Sequence, residues 1–177
     1  ITIAPYLYDK VEKEANFPRK MHHLIRPGVD LDKFTFRDKK RGYNVCMVTG
    51  NFWEMKQANE GYRIFDMLVR KYPQYPWKLH VRGEYNSREM EIIMKEHVID
   101  SMGIRDRVTV YSHVPDMNQW FEQMDYILVP SYKEAFSYAA AEAMAKGIKP
   151  ILNNWLGSED IWPSKYIYSH LDEAVEM

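Results

Sequence analysis

Two carboxylates with seven residues between them, Glu134 and Glu142, stand in the stretch Pro130 to Gly147, PSYKEAFSYAAAEAMAKG. Their chemistry follows from what flanks them. The apolar runs Tyr126–Val129 and Lys149–Leu152 read as buried parallel strands. Between them a loop turns into a helix rich in Ala, Met and Glu, all strong helix formers. Gly147 supplies the residue just past the helix end. Glu134 then falls in the loop at the carboxyl end of the first strand, and Glu142 about two turns into the helix. Ligands of open parallel sheets bind outside the carboxyl ends of the strands. Backbone N–H groups of the first helical turn, around Phe136 and Ser137, and the helix dipole favour an anion such as phosphate. A carboxylate on either side would accept hydrogen bonds from polyol hydroxyls. The arrangement suits a ligand with a phosphate in the middle and a sugar at each end. Spacing alone leans toward a plainer reading, in which Glu134 is a solvated loop residue and Glu142 an ordinary exposed helix residue.

The pattern Pro-Ser-x-x-Glu-Ala-Phe-Ser-Tyr-x-x-x-Glu-Ala-Met-Ala-x-Gly resembles the Glu-x7-Glu signature of family 4 glycosyltransferases, retaining enzymes of the two-domain GT-B architecture. The resemblance covers roughly residues 22–162 and is densest from 125 to 157. It implies that Glu134 contacts the donor sugar and Glu142 the ribose of the nucleotide. It implies further roles upstream. Asn44 to Thr49 reads as a strand, Gly50 ends it, and a loop carrying Lys56 leads into a helix from about Gln57 to Tyr72. That resembles the family's diphosphate loop, with Lys56 where a lysine is expected and Asn51 where an arginine commonly stands. Arg82 is a candidate to make good the missing charge. Gly83, after the second strand Trp77–Val81, matches a glycine close to the nucleotide. Val114, in the loop after the strand Arg107–Tyr111, matches a position against the base.

The remaining elements position these residues. A helix from Ser87 to about Met102 is expected, with Ile92, Ile93, Val98 and Ile99 toward the sheet and Gly103 at its end. Asp116 caps a short helix, Met117 to Met124. A short strand from His22 ends at Pro27-Gly28, and a short charged helix is expected over Tyr8 to Ala15, bracketed by Pro5 and Pro18. A short helix is expected near Ile161, a weak strand at Tyr166–Tyr168, and a helix starting at Leu171. Asp30-Leu31-Asp32 is a literal Asp-x-Asp, a pair that holds a metal in another transferase architecture, but it fits a linker turn better. His22 and His23 would point to opposite faces of a strand and cannot readily chelate together. No metal site is expected. Trp53, Trp155 and Trp162 are candidates to line the crevice, although core packing is the commoner use of such residues.

Strand and helix alternate about five times, which predicts an α/β fold with a doubly wound parallel sheet, Rossmann-like. The chain has 177 residues, 46% hydrophobic and 28% charged, with net charge −1. That balance gives no reason to expect nucleic acid as a partner. No stretch is apolar enough for a membrane helix. The single cysteine, Cys46, lies in an apolar run and suits a reducing compartment. Neither Gly-x-Gly-x-x-Gly nor a P-loop occurs. Residues 1–21 are expected to be a linker or remnant of an amino-terminal half, and residues 22–177 the nucleotide-sugar donor-binding domain. The resemblance implies transfer of a sugar from a nucleoside diphosphate sugar to the hydroxyl of a glycan, lipid or other acceptor, which the amino-terminal half would hold. No cofactor or metal is implied. The expected location is the cytoplasm, any membrane contact being made through the amino-terminal half. Alone, this stretch is expected to bind donor weakly and to transfer little or nothing. Two alternatives stay open: a non-catalytic nucleotide-sugar-binding or scaffolding module, and a nucleotide-sugar epimerase of the same architecture.

Overall fold

The computed structural model describes residues 1–15, 19–38, 40–51 and 54–177, and the side chains of Arg19, Asn51 and Glu54 lie outside that description. Six parallel strands form one sheet in the order β3-β2-β1-β4-β5-β6. They are β1 Asn44–Asn51, β2 Lys78–Glu84, β3 Val108–Tyr111, β4 Tyr126–Val129, β5 Lys149–Asn153 and β6 Ile167–Tyr168. The helices are α1 Pro5–Glu14, α2 Ala58–Lys71, α3 Arg88–Ile92, α4 Met117–Phe121, α5 Tyr138–Ala145 and α6 Leu171–Glu176. The doubly wound parallel sheet is therefore present.

Strand alternation splits the core into two layers. Val45, Met47, Leu79, Leu128 and Ile151 pack with Tyr62 and Phe65 of α2, Met94 and Ile99, and Ala174 and Val175 of α6. Cys46, Ile127, Val129 and Leu152 pack on the opposite face with Trp120 and Phe121 of α4, Ala140 and Ala143 of α5, and Phe34. Both faces of the central strands are covered, which is why β4 and β5 read as unbroken apolar runs.

Several elements differ from the sequence expectation. Residues 22–27 form no strand; one parallel bridge joins Thr2 to Leu24. A single bridge is too short to make a ladder, so the segment stays extended without becoming a strand. Pro5 opens α1 at its first turn rather than preceding it. Ser87 caps α3 as expected, accepting from the Met90 N–H at 3.2 Å, but Ile93–Asp100 continues as π-helix. Met90, Met94 and Ile99 face inward, the last step spanning the wider winding, while Ile92 and Ile93 are exposed. Residues 158–162 make a single turn, with the Trp162 N–H bonded to the Ser158 carbonyl at 2.8 Å, and no helix. Trp155 is buried in the core and reaches only the wall of a small cleft in the turn after β5, with Asn154, Gly157 and Asp160. Trp53 lies outside the described residues. No helix among the described residues is long and apolar enough to cross a membrane.

Gly61 lets α2 seat against the sheet. A Cβ there would lie 2.4 Å from Met47 Sδ and 3.3 Å from Pro130 Cγ. Met47 is fully buried, with little room to move. Alanine is the better helix former by about 1 kcal/mol, yet Gly61→Ala should lower stability by about 1–3 kcal/mol in urea unfolding through overpacking. Unchanged or raised stability would show that Met47 repacks freely.

Candidate active site

The sheet order reverses between β1 and β4. Connections from β1 run outward to β2 and β3, and those from β4 run the other way to β5 and β6. Such a switch point opens a crevice at the carboxyl ends of the two central strands. Lys56 lies in the short 3-10 turn Glu54–Lys56 after β1, and Glu134 lies in the loop after β4. The two arrive from opposite sides of the switch point and form an ion pair, Nζ to Oε1, of 2.5 Å. The Glu134 side chain is only 13% exposed and that of Lys56 33%. Glu134 is therefore not a solvated loop residue.

Backbone conformation marks the same place. Among the described residues, two non-glycine residues have positive φ, Gln57 at 47° and Ser137 at 69°. One follows Lys56 and the other closes the Glu134 loop. Left-handed backbone at such residues costs on the order of 1–3 kcal/mol and persists where surrounding contacts impose it.

Those contacts are visible. Along the loop from Pro130 to Ser137, the Asn153 amide donates to the Pro130 and Ser131 carbonyls at 3.3 and 3.2 Å. The Tyr132 N–H donates to the Met55 carbonyl at 3.2 Å, tying the two site loops together. The Tyr6 hydroxyl donates to the Glu134 carbonyl at 3.3 Å. The Trp162 indole donates to the Phe136 carbonyl at 3.2 Å, and its ring stacks on Phe136 at 5.8 Å. The first backbone bond of α5 runs from the Ala141 N–H to the Ser137 carbonyl at 3.2 Å. The helix therefore starts at Tyr138, slightly later than expected. The amides of its first turn precede that bond, where a helix leaves donors for an outside acceptor.

Glu142 sits little more than one turn into α5, half-buried. Burial raises its carboxyl pKa, and nearby Lys33 partly offsets the rise. Gly50 does not end β1, which runs on through Asn51. The pairing with β2 shifts between Val48 and Gly50, and Gly50 takes φ 63° with open space where a Cβ would stand. A side chain there would be strained by its backbone rather than by crowding. Asn51 pairs with Glu84, while Gly50 pairs with Gly83. Gly83 lines a cleft of about 590 Å³ with Glu84, Ser87, Arg88, Lys95 and Ser112. Val114 follows β3 on the same sheet edge and is half-buried against the second core layer.

Other polar candidates are used in the fold. His22 is buried and stacks on Tyr8 with centroids 4.3 Å apart, while His23 is exposed. One Asp30 carboxylate oxygen accepts the backbone N–H groups of Asp32 and Lys33, both at 3.0 Å. Asp30 thus shapes the turn before Phe34.

Residues 43–164, well over half of the chain, match the family model described as glycosyl transferases group 1. The chain belongs to that family. A D-inositol 3-phosphate glycosyltransferase of Paenarthrobacter aurescens is 26% identical over 140 residues, covering 72% of this chain and 34% of the relative. The chain thus spans about a third of the length of the curated relatives it matches. The carboxyl-terminal domain of LpcC, a glycosyl transferase group 1 family protein from Francisella tularensis, has TM-score 0.67 at 21% identity and covers 84% of this chain and 85% of that domain. Anabaena HepE, solved in complex with UDP, has TM-score 0.79 at 13% identity over 99% of this chain and 51% of its own. These likenesses share the fold, half of a GT-B architecture.

Within this family member, sequence reasoning found the two site loops but not what holds them. Asn153 reads in the sequence only as the start of the loop after the strand Lys149–Leu152, and Tyr6 precedes the expected charged helix and carries no signal of its own. Trp162 is buried in the second core layer and clamps the Phe136 carbonyl. A carbonyl's partner leaves no local signal in a sequence.

Proposed function

We propose that this chain is the nucleotide-sugar-binding part of a retaining glycosyltransferase. The observation that supports it best is the Lys56–Glu134 pair across the switch point, 2.5 Å apart, beside the amino end of α5. A nucleoside diphosphate sugar fits this arrangement with its diphosphate against Lys56 and the first-turn amides of α5 beyond Phe136 and Ser137. Gly50 and Asn51 flank the phosphates, Gly83 and Val114 face the nucleotide, and Glu142 accepts from the ribose hydroxyls. Glu134 takes the hydroxyls of the transferred sugar. In the structure Glu134 balances Lys56. An arriving diphosphate supplies Lys56 with a stronger counter-charge, which frees the Glu134 oxygens for sugar. During transfer the bond from the anomeric carbon to the diphosphate oxygen breaks, a bond to an acceptor oxygen forms on the same face of the sugar, and the acceptor hydroxyl's proton passes to the departing diphosphate. Negative charge grows on the diphosphate, and groups already aimed at it lower the barrier. A donor site of this kind uses no metal, and the acceptor belongs to a part of the protein beyond these residues.

Calorimetric titration with UDP, GDP and ADP tests this reading. One nucleotide should bind, and Glu142→Ala should weaken it about tenfold or more, the worth of hydrogen bonds to a charged acceptor. No binding to the full-length protein by any of the three would sink the donor-site reading.

The raised Glu142 pKa adds a pH dependence. Ribose hydroxyls donate to the ionised carboxylate, so affinity is complete above the Glu142 pKa and is lost as pH falls through it. Because burial raises that pKa, the loss should begin at a higher pH than for a solvated glutamate. Glu142→Gln should flatten this part of the profile. Phosphate titration is common to both proteins and cancels in their difference. Identical profiles for the two would remove Glu142 from the ribose site.

A further inference from the structure

Helix α1 is tied to the rest of the chain on one side and reaches the candidate site on the other. Thr2 bridges Leu24, with its N–H on the His23 carbonyl and its carbonyl accepting from the Ile25 N–H, both at 2.9 Å. Tyr8 stacks on buried His22 and donates to its carbonyl at 3.3 Å. Those contacts hold the start of α1 in place, and Ala4, just before it, is completely buried.

Tyr6, two residues before Tyr8, points the other way. Its hydroxyl donates to the Glu134 carbonyl at 3.3 Å. Its ring lies on Gly157, in the turn after β5, so closely that a Cβ on Gly157 would stand 2.3 Å from Tyr6 Cδ1 and 2.9 Å from Cγ. Gly157 has φ 84° and therefore meets two demands that other residues meet poorly. Tyr6 thus spans the loops after β4 and β5 beside the residue assigned to the transferred sugar. Burial and the Glu134 charge both raise the Tyr6 pKa, so the phenol stays protonated and remains a donor.

We propose that Tyr6 is a positioning residue for sugar recognition: by holding the Glu134 carbonyl and packing on Gly157 it fixes the wall of the sugar subsite, and it governs affinity for the sugar part of the donor without contributing to the nucleotide part. This rests on reading the site as one for a nucleoside diphosphate sugar. It follows from how the loop is held. Asn153 and Trp162 hold its two ends from within the sheet domain, at Pro130–Ser131 and at Phe136. At Glu134 itself the backbone is held by Tyr6. The carboxylate's direction depends on that backbone, because its side chain is only 13% exposed and already paired with Lys56, which leaves few rotamers to make up for a displaced Cα.

The test uses the full-length protein as wild type, Tyr6→Phe and Tyr6→Ala. For each, calorimetry measures affinity for the free nucleoside diphosphate and for the corresponding nucleotide sugar. Hydrogen exchange across residues 131–137 is followed without ligand. Tyr6→Ala should weaken the nucleotide sugar about tenfold while leaving the free diphosphate within about twofold, and exchange in the loop should quicken. Tyr6→Phe keeps the ring on Gly157 and removes only the donor, so its loss should be smaller, about threefold. It also carries the test should Tyr6→Ala fail to fold. Equal weakening of both ligands, or of neither, would overturn the sugar role. A wild-type protein that binds no nucleotide at all would bring down the donor reading and the sugar role with it. The exchange measurement would then still report whether Tyr6 holds the loop.

Discussion

Replacing Glu134 with Gln in the full-length protein should reduce the rate of sugar transfer by about 10²–10³-fold, the usual cost of losing one preorganised group at a reacting centre. Glutamine keeps the volume, so the contacts along Pro130–Ser137 survive. What goes is the charge that accepts sugar hydroxyls most strongly. Affinity for the free nucleoside diphosphate should hold or rise, because Lys56 would no longer be shared with a carboxylate 2.5 Å away. Opposite movement of rate and affinity separates this from general damage, which lowers both. Steady-state kinetics with saturating acceptor, together with calorimetry, would measure the two. Transfer within a few-fold of wild type would take Glu134 out of the mechanism.

Lys56→Ala should act on both quantities. The variant removes the cation from the diphosphate, and it leaves Glu134, 13% exposed, without its partner. The remaining carboxylate then repels the incoming phosphates. Free diphosphate affinity should fall by about 10–100-fold, equivalent to roughly 1.4–2.7 kcal/mol, and transfer should fall by a further 10-fold or more as charge grows on the leaving group. The double variant Lys56→Ala with Glu134→Gln should bind diphosphate better than Lys56→Ala alone, because the repulsion is gone. That non-additivity is the signature of two groups in contact. Strict additivity would mean that the Lys56–Glu134 pair has no bearing on phosphate binding.

How much of this could be read from the chain varies by element. The runs Tyr126–Val129 and Lys149–Leu152 matched β4 and β5 almost residue for residue, because strands covered on both faces are apolar at every position. Helix α2 and the Asp116 and Ser87 caps were legible for a similar reason: caps and periodicity are local. The segment 22–27 misled because a short extended pattern says nothing about whether a neighbour exists to complete a ladder. Ile92 and Ile93 misled because two adjacent apolar residues do not say which face of the helix meets the sheet, and Met90 and Met94 pack there instead. At the site, Glu134 and Lys56 were legible from their loops and Glu142 from its helix, although their environments were not. Glu134 stood as well for a solvated residue until its burial and its partner were seen.

Local patterning thus decided the alternation of strands and helices, and with it the sheet edge on which Glu134 and Lys56 would emerge. Composition made both faces of the central strands apolar and left polar residues to the loops at their ends. Folding decided the rest. The sheet order places β4 beside β1, which brings together two residues 78 positions apart. Asn153, Trp162 and Tyr6 meet the carbonyls of one loop from three distant parts of the chain. Backbone carbonyls are alike in every residue, so no local sequence feature says which side chain will satisfy them. That assignment exists only once the strands have taken their order.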